Sequence, residues 1–418
     1  MIKKDIVIIG GGAAGLASAI NAKGSKTLLI ERDNDLGGIL NQCIHNGFGL
    51  HIFKEELTGP EYANRFIELF KKENIDFLLN STVLKIEKPN DFLITASNES
   101  GIVQVTSKAV ILAAGCYERT RGAIMLPGER PKGIMPAGSA QRYLNIDGYL
   151  VGKKVFILGS GDIGLIMARR MKLEGAEVLG VAEIMPYSNG LTRNIVQCLN
   201  DFNIPLYLSH TVTFIKGKDS LEAITISKVD QNFIPIPNTE KRFEVDTLLL
   251  SVGLVPDVAL LNYLPVTKSP ITKSVEVNQF YETNIDGLFA CGNALHVHDL
   301  VDFVTKESEK AGRYAHLYCL KEANQSIRNE KKIVAGKNIR YTVPQKIDFN
   351  NIEEPIEILF RVSNKFPDGT FNIIQDGKVI KTKKAKFIAP AEMEKLILNK
   401  KDFISDGEIT LELEVNNE

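Results

Sequence analysis

Two glycine-rich loops, each followed at a set distance by a carboxylate, carry the clearest chemistry in this chain. In GGGAAG at 10–15, Gly10 permits a tight turn and Gly12 lets the backbone approach a pyrophosphate; Gly15, beyond Ala13 and Ala14, allows a helix to pack closely on a sheet. Glu31 follows at about the ~20-residue interval at which a carboxylate accepts hydrogen bonds from both ribose hydroxyls of an adenosine. GSGDIG at 159–164 repeats the pattern with Gly159, Gly161 and Gly164 around Asp162 and Ile163. Glu183 stands where the carboxylate of that second loop belongs. A 2'-phosphate would be repelled there, and EIMPYSNG offers no arginine before Arg193, so NAD is favoured over NADP.

These loops need a strand in front and a helix behind. The alternation of apolar runs and glycines predicts a strand at 5–9, a helix from 14 to about 23 and a strand at 27–31. The same order recurs with a strand at 154–158, a helix running to about 174 and a strand at 177–182. Each unit also has a later apolar strand, VILAAG ending at Gly115 and DTLLLSVGLVPD containing Gly253, suited to presenting backbone to a ligand at its carboxyl end. After 335 the glycine loops stop, and alternating segments such as IEILFRVSNKF and GEITLELEV predict antiparallel strands. Within this tail, FIAPAEMEKLIL reads as a strand, a proline turn and a short helix with Glu392 and Glu394 on its polar side. The expected fold is α/β, with two Rossmann-like domains, one inserted in the other, and a small β-rich C-terminal domain. The expected boundaries are 1–121 with 270–330 for the first, 122–269 for the second and 335–418 for the tail.

Composition narrows the function. The 418 residues suffice for two to four domains. With 50 Lys and Arg against 51 Asp and Glu, no global field draws the chain to nucleic acid or anionic lipid. No apolar run approaches the ~20 residues that span a bilayer. MIKKDIVIIGGG runs straight into glycines without a cleavage pattern, so it reads as a strand rather than a signal peptide. Five scattered cysteines, none in a C-x-x-C, fit reduced thiols in a cytoplasm and offer no metal or iron–sulfur spacing.

With the loops placed, the chain resembles the flavoproteins with two dinucleotide-binding domains, the family that includes thioredoxin reductases and NADH oxidases. The matching positions are GGGAAG with Glu31, Gly37 with Gly38, VILAAG, LPGE at 126–129, GSGDIG, LLLSVGLVPD and TNIDGLFACGN at 283–293. The resemblance implies FAD on the first domain, touched by Gly38, Gly115, Gly292 and Asn293, and NAD(H) on the second. Asn293 replaces the family's acidic ribityl contact, and its amide oxygen can still accept that hydrogen bond. The segment GCYERTRGAIMLPGERPKGIMPAGSAQ is closest to the flavin subunits of opine, amino-acid and glycerol-3-phosphate oxidising complexes, which implies an oligomer with a partner dehydrogenase. Some of those relatives carry a cysteine-rich module at the carboxyl end, whereas nothing after Cys319 here could ligate a cluster.

Side chains beside the flavin offer several roles. Only Cys43 follows Gly37 and Gly38, so a redox disulfide pair is not expected; a single peroxidatic thiol is possible by analogy, and a buried structural cysteine is the preferred reading. His45, and His296 with His298, fall near the isoalloxazine by analogy. One imidazole, His45 or His298, would hydrogen-bond the flavin or exchange protons during reduction, or else only shape its loop. The H-x-H pair lacks a third ligand from a defined motif, so no metal is expected. Asp299, followed three residues later by Asp302, reads as the N-terminal cap of a helix from about 300 to 322 rather than as a catalytic group. Two other functions stay open: a stand-alone NADH oxidase, and an assembly scaffold in which the flavin is structural.

Overall fold

The computed structural model describes residues 1–320 and 328–415. The chain forms two compact units. One comprises Met1–Asn41, Asn46–Cys116 and Pro256–Glu418, and the other Gln42–His45 with Tyr117–Val255.

The first unit is built on a seven-stranded sheet. Its parallel part runs Asp76–Leu78, Thr27–Ile30, Ile2–Ile9, Gly101–Leu112 and Leu288–Ala290. The strand Gly101–Leu112 is long enough to serve two partners. Its first half pairs antiparallel with Phe92–Asn98, which extends to Thr82–Glu87, and its second half pairs parallel with Ile2–Ile9. The four residues Ile6 to Ile9 are buried, as are Val110, Ile111 and Leu112, which is the continuous apolar signature of a strand covered on both faces. Helices Ala13–Asn21 and Val301–Leu320 pack against each other beside this sheet.

The second unit carries a parallel sheet in the order Ile134–Pro136, Thr247–Leu250, Lys154–Leu158, Glu177–Glu183, Leu206–Leu208. Helix Asp162–Leu173 follows the central strand and buries Leu165, Met167, Ala168 and Met171. An antiparallel trio, His210–Lys216, Ala223–Lys228 and Lys241–Glu244, completes it.

The C-terminal region, within the first unit, is β-rich. A five-stranded and a three-stranded sheet enclose one apolar core that includes Ile358, Phe360, Phe371, Leu398, Ile409 and Leu411. The short helix expected near 392 is instead the strand Glu394–Leu398, paired with Ile356–Val362. Leu396 and Leu398 are buried while Lys395 and Ile397 are exposed, so the period is two, and a run of only five residues hid it. No helix among the described residues is long and apolar enough to cross a membrane.

Candidate functional site

The first glycine loop is shaped by backbone contacts. Strand Ile2–Ile9 ends at Gly10, which has φ 107°, and a Cβ there would lie 2.4 Å from the Ala113 carbonyl oxygen. At Gly15 a Cβ would fall 1.8 Å from the Gly10 carbonyl oxygen, so helix Ala13–Asn21 can approach the sheet only with glycine there. That helix has no acidic residue in its first turn and no side-chain cap, which leaves its positive end to an anion. Glu31, just beyond strand Thr27–Ile30, is buried. Its Oε2 accepts the Gly11 N–H and its Oε1 the Asp33 N–H at 2.8 Å. The Gly37 N–H donates to the Gly11 carbonyl at 2.9 Å, and Gly38 stands against Gly12, forming the second wall of the cleft. A Cβ at Gly12 would meet nothing nearer than 3.9 Å and one at Gly115 nothing within 4 Å, so both open into free space at the carboxyl ends of the strands. A bare helix end, an open backbone and a carboxylate with spare lone pairs fit the pyrophosphate and adenosine of FAD.

Strand Leu288–Ala290 delivers the remaining wall. The Gly292 N–H donates to Glu307 Oε1 at 2.7 Å, and Asn293 Oδ1 accepts the His298 N–H at 3.0 Å. Half of this amide oxygen's accepting capacity therefore goes to its own loop. The His298 imidazole points inwards: its side chain is 1% exposed and lies beside Glu307, not on an open wall. His296 is equally enclosed, with Nε2 2.8 Å from Glu307 Oε2. Burial lowers the His296 pKa, with His298 adding to the effect. Burial also opposes ionisation of Glu307, but the two imidazoles outweigh it and hold the carboxyl well below the usual carboxylate range. Glu307 was not foreseen. Its only signal is a charged residue in the buried stripe Val304, Ser308, Ala311 and Ala315 of helix Val301–Leu320.

The capping role expected of Asp299 is not what the structure shows. Its carboxylate takes Arg361 from the C-terminal sheet on one oxygen and the Met393 N–H at 2.7 Å on the other. Arg361 also donates to the carbonyls of Val297 and Pro390, each at 3.0 Å, and to Tyr341 Oη at 3.1 Å. The tail thus grips the segment next to Asn293. Asp302 accepts the N–H groups of Gly49 and His51 at 3.2 Å and of Ile52 at 2.9 Å, tying that loop to the start of the helix. Partners more than 60 residues away cannot be read from a local pattern.

In the second unit Gly159 has φ 95°, and a Cβ there would lie 2.1 Å from the Ser251 carbonyl oxygen. Glu183 is buried; Oε2 accepts the Ser160 N–H at 2.9 Å and its hydroxyl at 2.6 Å, and Oε1 accepts the Met185 N–H at 3.0 Å. Gly161 precedes the helix, Ile163 lies in its first turn, and the Gly164 N–H donates to Ser251 Oγ at 3.1 Å. Asp162 Oδ1 accepts from Leu191 N–H at 2.8 Å and Asn194 Nδ2 at 2.6 Å. The Gly253 carbonyl accepts the Arg119 N–H at 3.0 Å.

Cys43 and His45 belong to this second unit, held by Gln42 Nε2 bonds to Gly138 O at 2.9 Å and Gln141 Oε1 at 3.0 Å. Burial pushes the Cys43 thiol up to about 12, against the thiolate a peroxidatic cysteine needs. Burial first, then the charges of Arg193 and Arg169, pull His45 down to about 4, so its imidazole is neutral at pH 7. Cys198, Cys291 and Cys319 are free thiols.

Two parallel-sheet folds with phosphate-binding loops, one set into the sequence of the other, define an oxidoreductase of the two-dinucleotide kind. The family model for pyridine nucleotide-disulphide oxidoreductases matches residues 4–312, and the chain belongs to that family, which typically binds FAD and NAD(P)H. Among curated proteins it is 27% identical to the HcnB subunit of hydrogen cyanide synthase from Pseudomonas protegens, over 61% of this chain and 57% of that one. It is 24% identical to an opine oxidase subunit from Agrobacterium tumefaciens, over 62% and 54%. The chain thus spans little more than half the length of these relatives. Thioredoxin reductase of T. acidophilum superposes with a TM-score of 0.62 at 23% identity, covering 76% of this chain and 99% of that structure, which shows the shared fold.

Proposed function

We propose that this chain passes hydride between NAD(H) and bound FAD, as the electron-transfer subunit of a dehydrogenase complex of the glycerol-3-phosphate, opine or amino-acid type. The observation that carries this is the duplicated brace: Glu31 on Gly11 and Asp33, and Glu183 on Ser160 and Met185, each beside a glycine loop. When bound, FAD supplies the hydride-accepting chemistry. The residues of this chain do the positioning. Gly10, Gly12, Ala13, Ala14 and Gly15 present backbone to the pyrophosphate, Glu31 holds the adenosine ribose, and Gly38, Gly115, Gly292 and Asn293 line the rest. Gly159, Gly161, Asp162, Ile163, Gly164 and Gly253 shape the NAD site, where the Glu183 carboxylate favours a free 2'-hydroxyl. His45 is neutral and can accept or donate one hydrogen bond without adding charge; His298 acts through its backbone N–H on Asn293. The names of the two relatives, a hydrogen cyanide synthase subunit and an opine oxidase subunit, support a partner subunit, for which a dehydrogenase is our reading. No thiolate is needed for hydride transfer, consistent with the raised pKa of Cys43.

Anaerobic titration of the purified flavoprotein with NADH tests the reading. Loss of the oxidised-flavin absorbance with NADH at lower concentration than with NADPH is the expected result. A flavin that neither nucleotide bleaches would overturn it. Fast reduction of artificial dyes with slow oxygen uptake points to a partner dehydrogenase, and the reverse to a stand-alone oxidase.

A further inference from the structure

Inside the first unit, beneath the loop that carries Asn293, three side chains converge. His296 and His298 come from the segment after strand Leu288–Ala290, and Glu307 from the second turn of helix Val301–Leu320. One ligating atom of each lies within 4.8 Å of the other two. His296 Nε2 is 2.8 Å and His298 Nε2 3.3 Å from the two Glu307 oxygens, and the imidazole centres are 4.2 Å apart. Each of these side chains is only 1–2% exposed.

Buried imidazoles normally have both ring nitrogens satisfied. Here His296 Nδ1 and His298 Nδ1 have no hydrogen-bond partner among the described residues, and His298 Nε2 has only its 3.3 Å approach to Glu307 Oε1. Two imidazoles with unpartnered Nδ1 atoms, both turning Nε2 to one enclosed carboxylate, make a cluster with donor atoms to spare and no Lys or Arg bonded to that carboxylate among the described residues. Two imidazoles and one carboxylate suit a divalent transition ion, whereas calcium and magnesium favour all-oxygen sets.

We propose that His296, His298 and Glu307 bind a divalent transition-metal ion of the zinc type. On binding, the proton shared between His296 Nε2 and Glu307 leaves to solvent and the ion takes its place, so no electron is exchanged. The ion staples residues 296–298 to the helix nine to eleven positions on. It thereby fixes Asn293, whose Oδ1 is held by the His298 N–H, and Gly292, whose N–H is held by Glu307. This is a positioning site, apart from the phosphate loops.

The test is elemental analysis of the full chain, purified without chelator after incubation with Zn²⁺ and passed through gel filtration. Stripped protein is then reloaded with Co²⁺ and its visible ligand-field bands recorded. The expected result is about one equivalent of metal per chain and a Co²⁺ spectrum of low-symmetry coordination. H298A and E307Q should each lower retained metal at least about tenfold, while H210A, in the other unit, leaves it unchanged. Wild-type protein that retains less than about a tenth of an equivalent of either ion and gives no ligand-field band overturns the site, and this arm needs no variant to fold. Because metal content is read separately from flavin reduction by NADH, the site and the proposed function can fail independently.

Discussion

The two phosphate loops solve one problem in different ways. In both, a glycine with positive φ ends a buried strand, and a glutamate at the next strand end holds the loop amide and an amide two residues further on. The first loop goes no further: Ala13 and Ala14 open its helix, and no acidic group stands in the first turn. The second adds side chains. Ser160 Oγ bonds Glu183 and accepts the Asn189 N–H at 3.1 Å, while Asp162 binds Leu191 and Asn194. A loop made of backbone alone can press close on a resident ligand. A loop wired through side chains to residues 189–194 has bonds that can exchange as a ligand enters and leaves. On the proposed function, that is the difference between FAD and NAD(H).

Replacing the glycine at which each helix packs back on its loop should separate the two sites most widely. Gly15→Val puts atoms into the Gly10 carbonyl and should lower flavin per purified chain at least about tenfold, read from absorbance. Gly164→Val should keep the flavin and abolish its anaerobic reduction by NADH. If both lose flavin equally, the loops are not independent sites. Next in size is Glu183→Gln, which swaps the acceptor of three hydrogen bonds for an amide with one carbonyl oxygen. At about 1.5–3 kcal/mol for bonds to a charged group, KM for NADH should rise roughly ten- to a hundredfold with flavin content unchanged. A smaller effect is expected at the tail. Arg361→Ala leaves Asp299 with the Met393 amide alone and should lower the unfolding midpoint by roughly 5–10 °C in a thermal melt, with both nucleotide loops intact.

The smallest effect concerns pH. The folded-state pKa of His45 lies below its ordinary value of 6.5, at about 4. Between these values the unfolded chain binds a proton that the folded chain refuses, so stability falls as pH drops through this window and is unaffected above it. His45→Gln should flatten part of that fall in denaturant titrations at pH 5 compared with pH 7. An unchanged slope would place the responsible groups elsewhere.

The fold was largely legible because its signals are local. A strand, a glycine loop, a helix and a carboxylate at a set interval are all contained in about 30 residues, and both copies are found where the spacing places them. The β-rich tail announced itself by alternation, although Glu394–Leu398 was too short for its period to be told from a helix. What stayed hidden depends on distance. Arg361 reaching Asp299, Asp302 reaching residues 49–52 and Glu307 meeting two histidines are tertiary pairings for which neither hydrophobic period nor motif has a sign. His298 illustrates the same limit: its place in the loop after Asn293 was readable, but the inward turn of its ring was not.

The nested order of the two units has a consequence for synthesis. Strand Leu288–Ala290 completes the first unit's sheet beside Gly101–Leu112, yet the whole stretch 117–255 is translated between them. At ribosomal speeds the first half waits on the order of ten seconds or more for its missing strand. During that interval the outer edge of Val110–Leu112 has no paired strand, while the inserted unit can already close. A nascent chain stalled after 255 would therefore present a finished second unit and an unfinished first one, making the early sheet the part most in need of a chaperone.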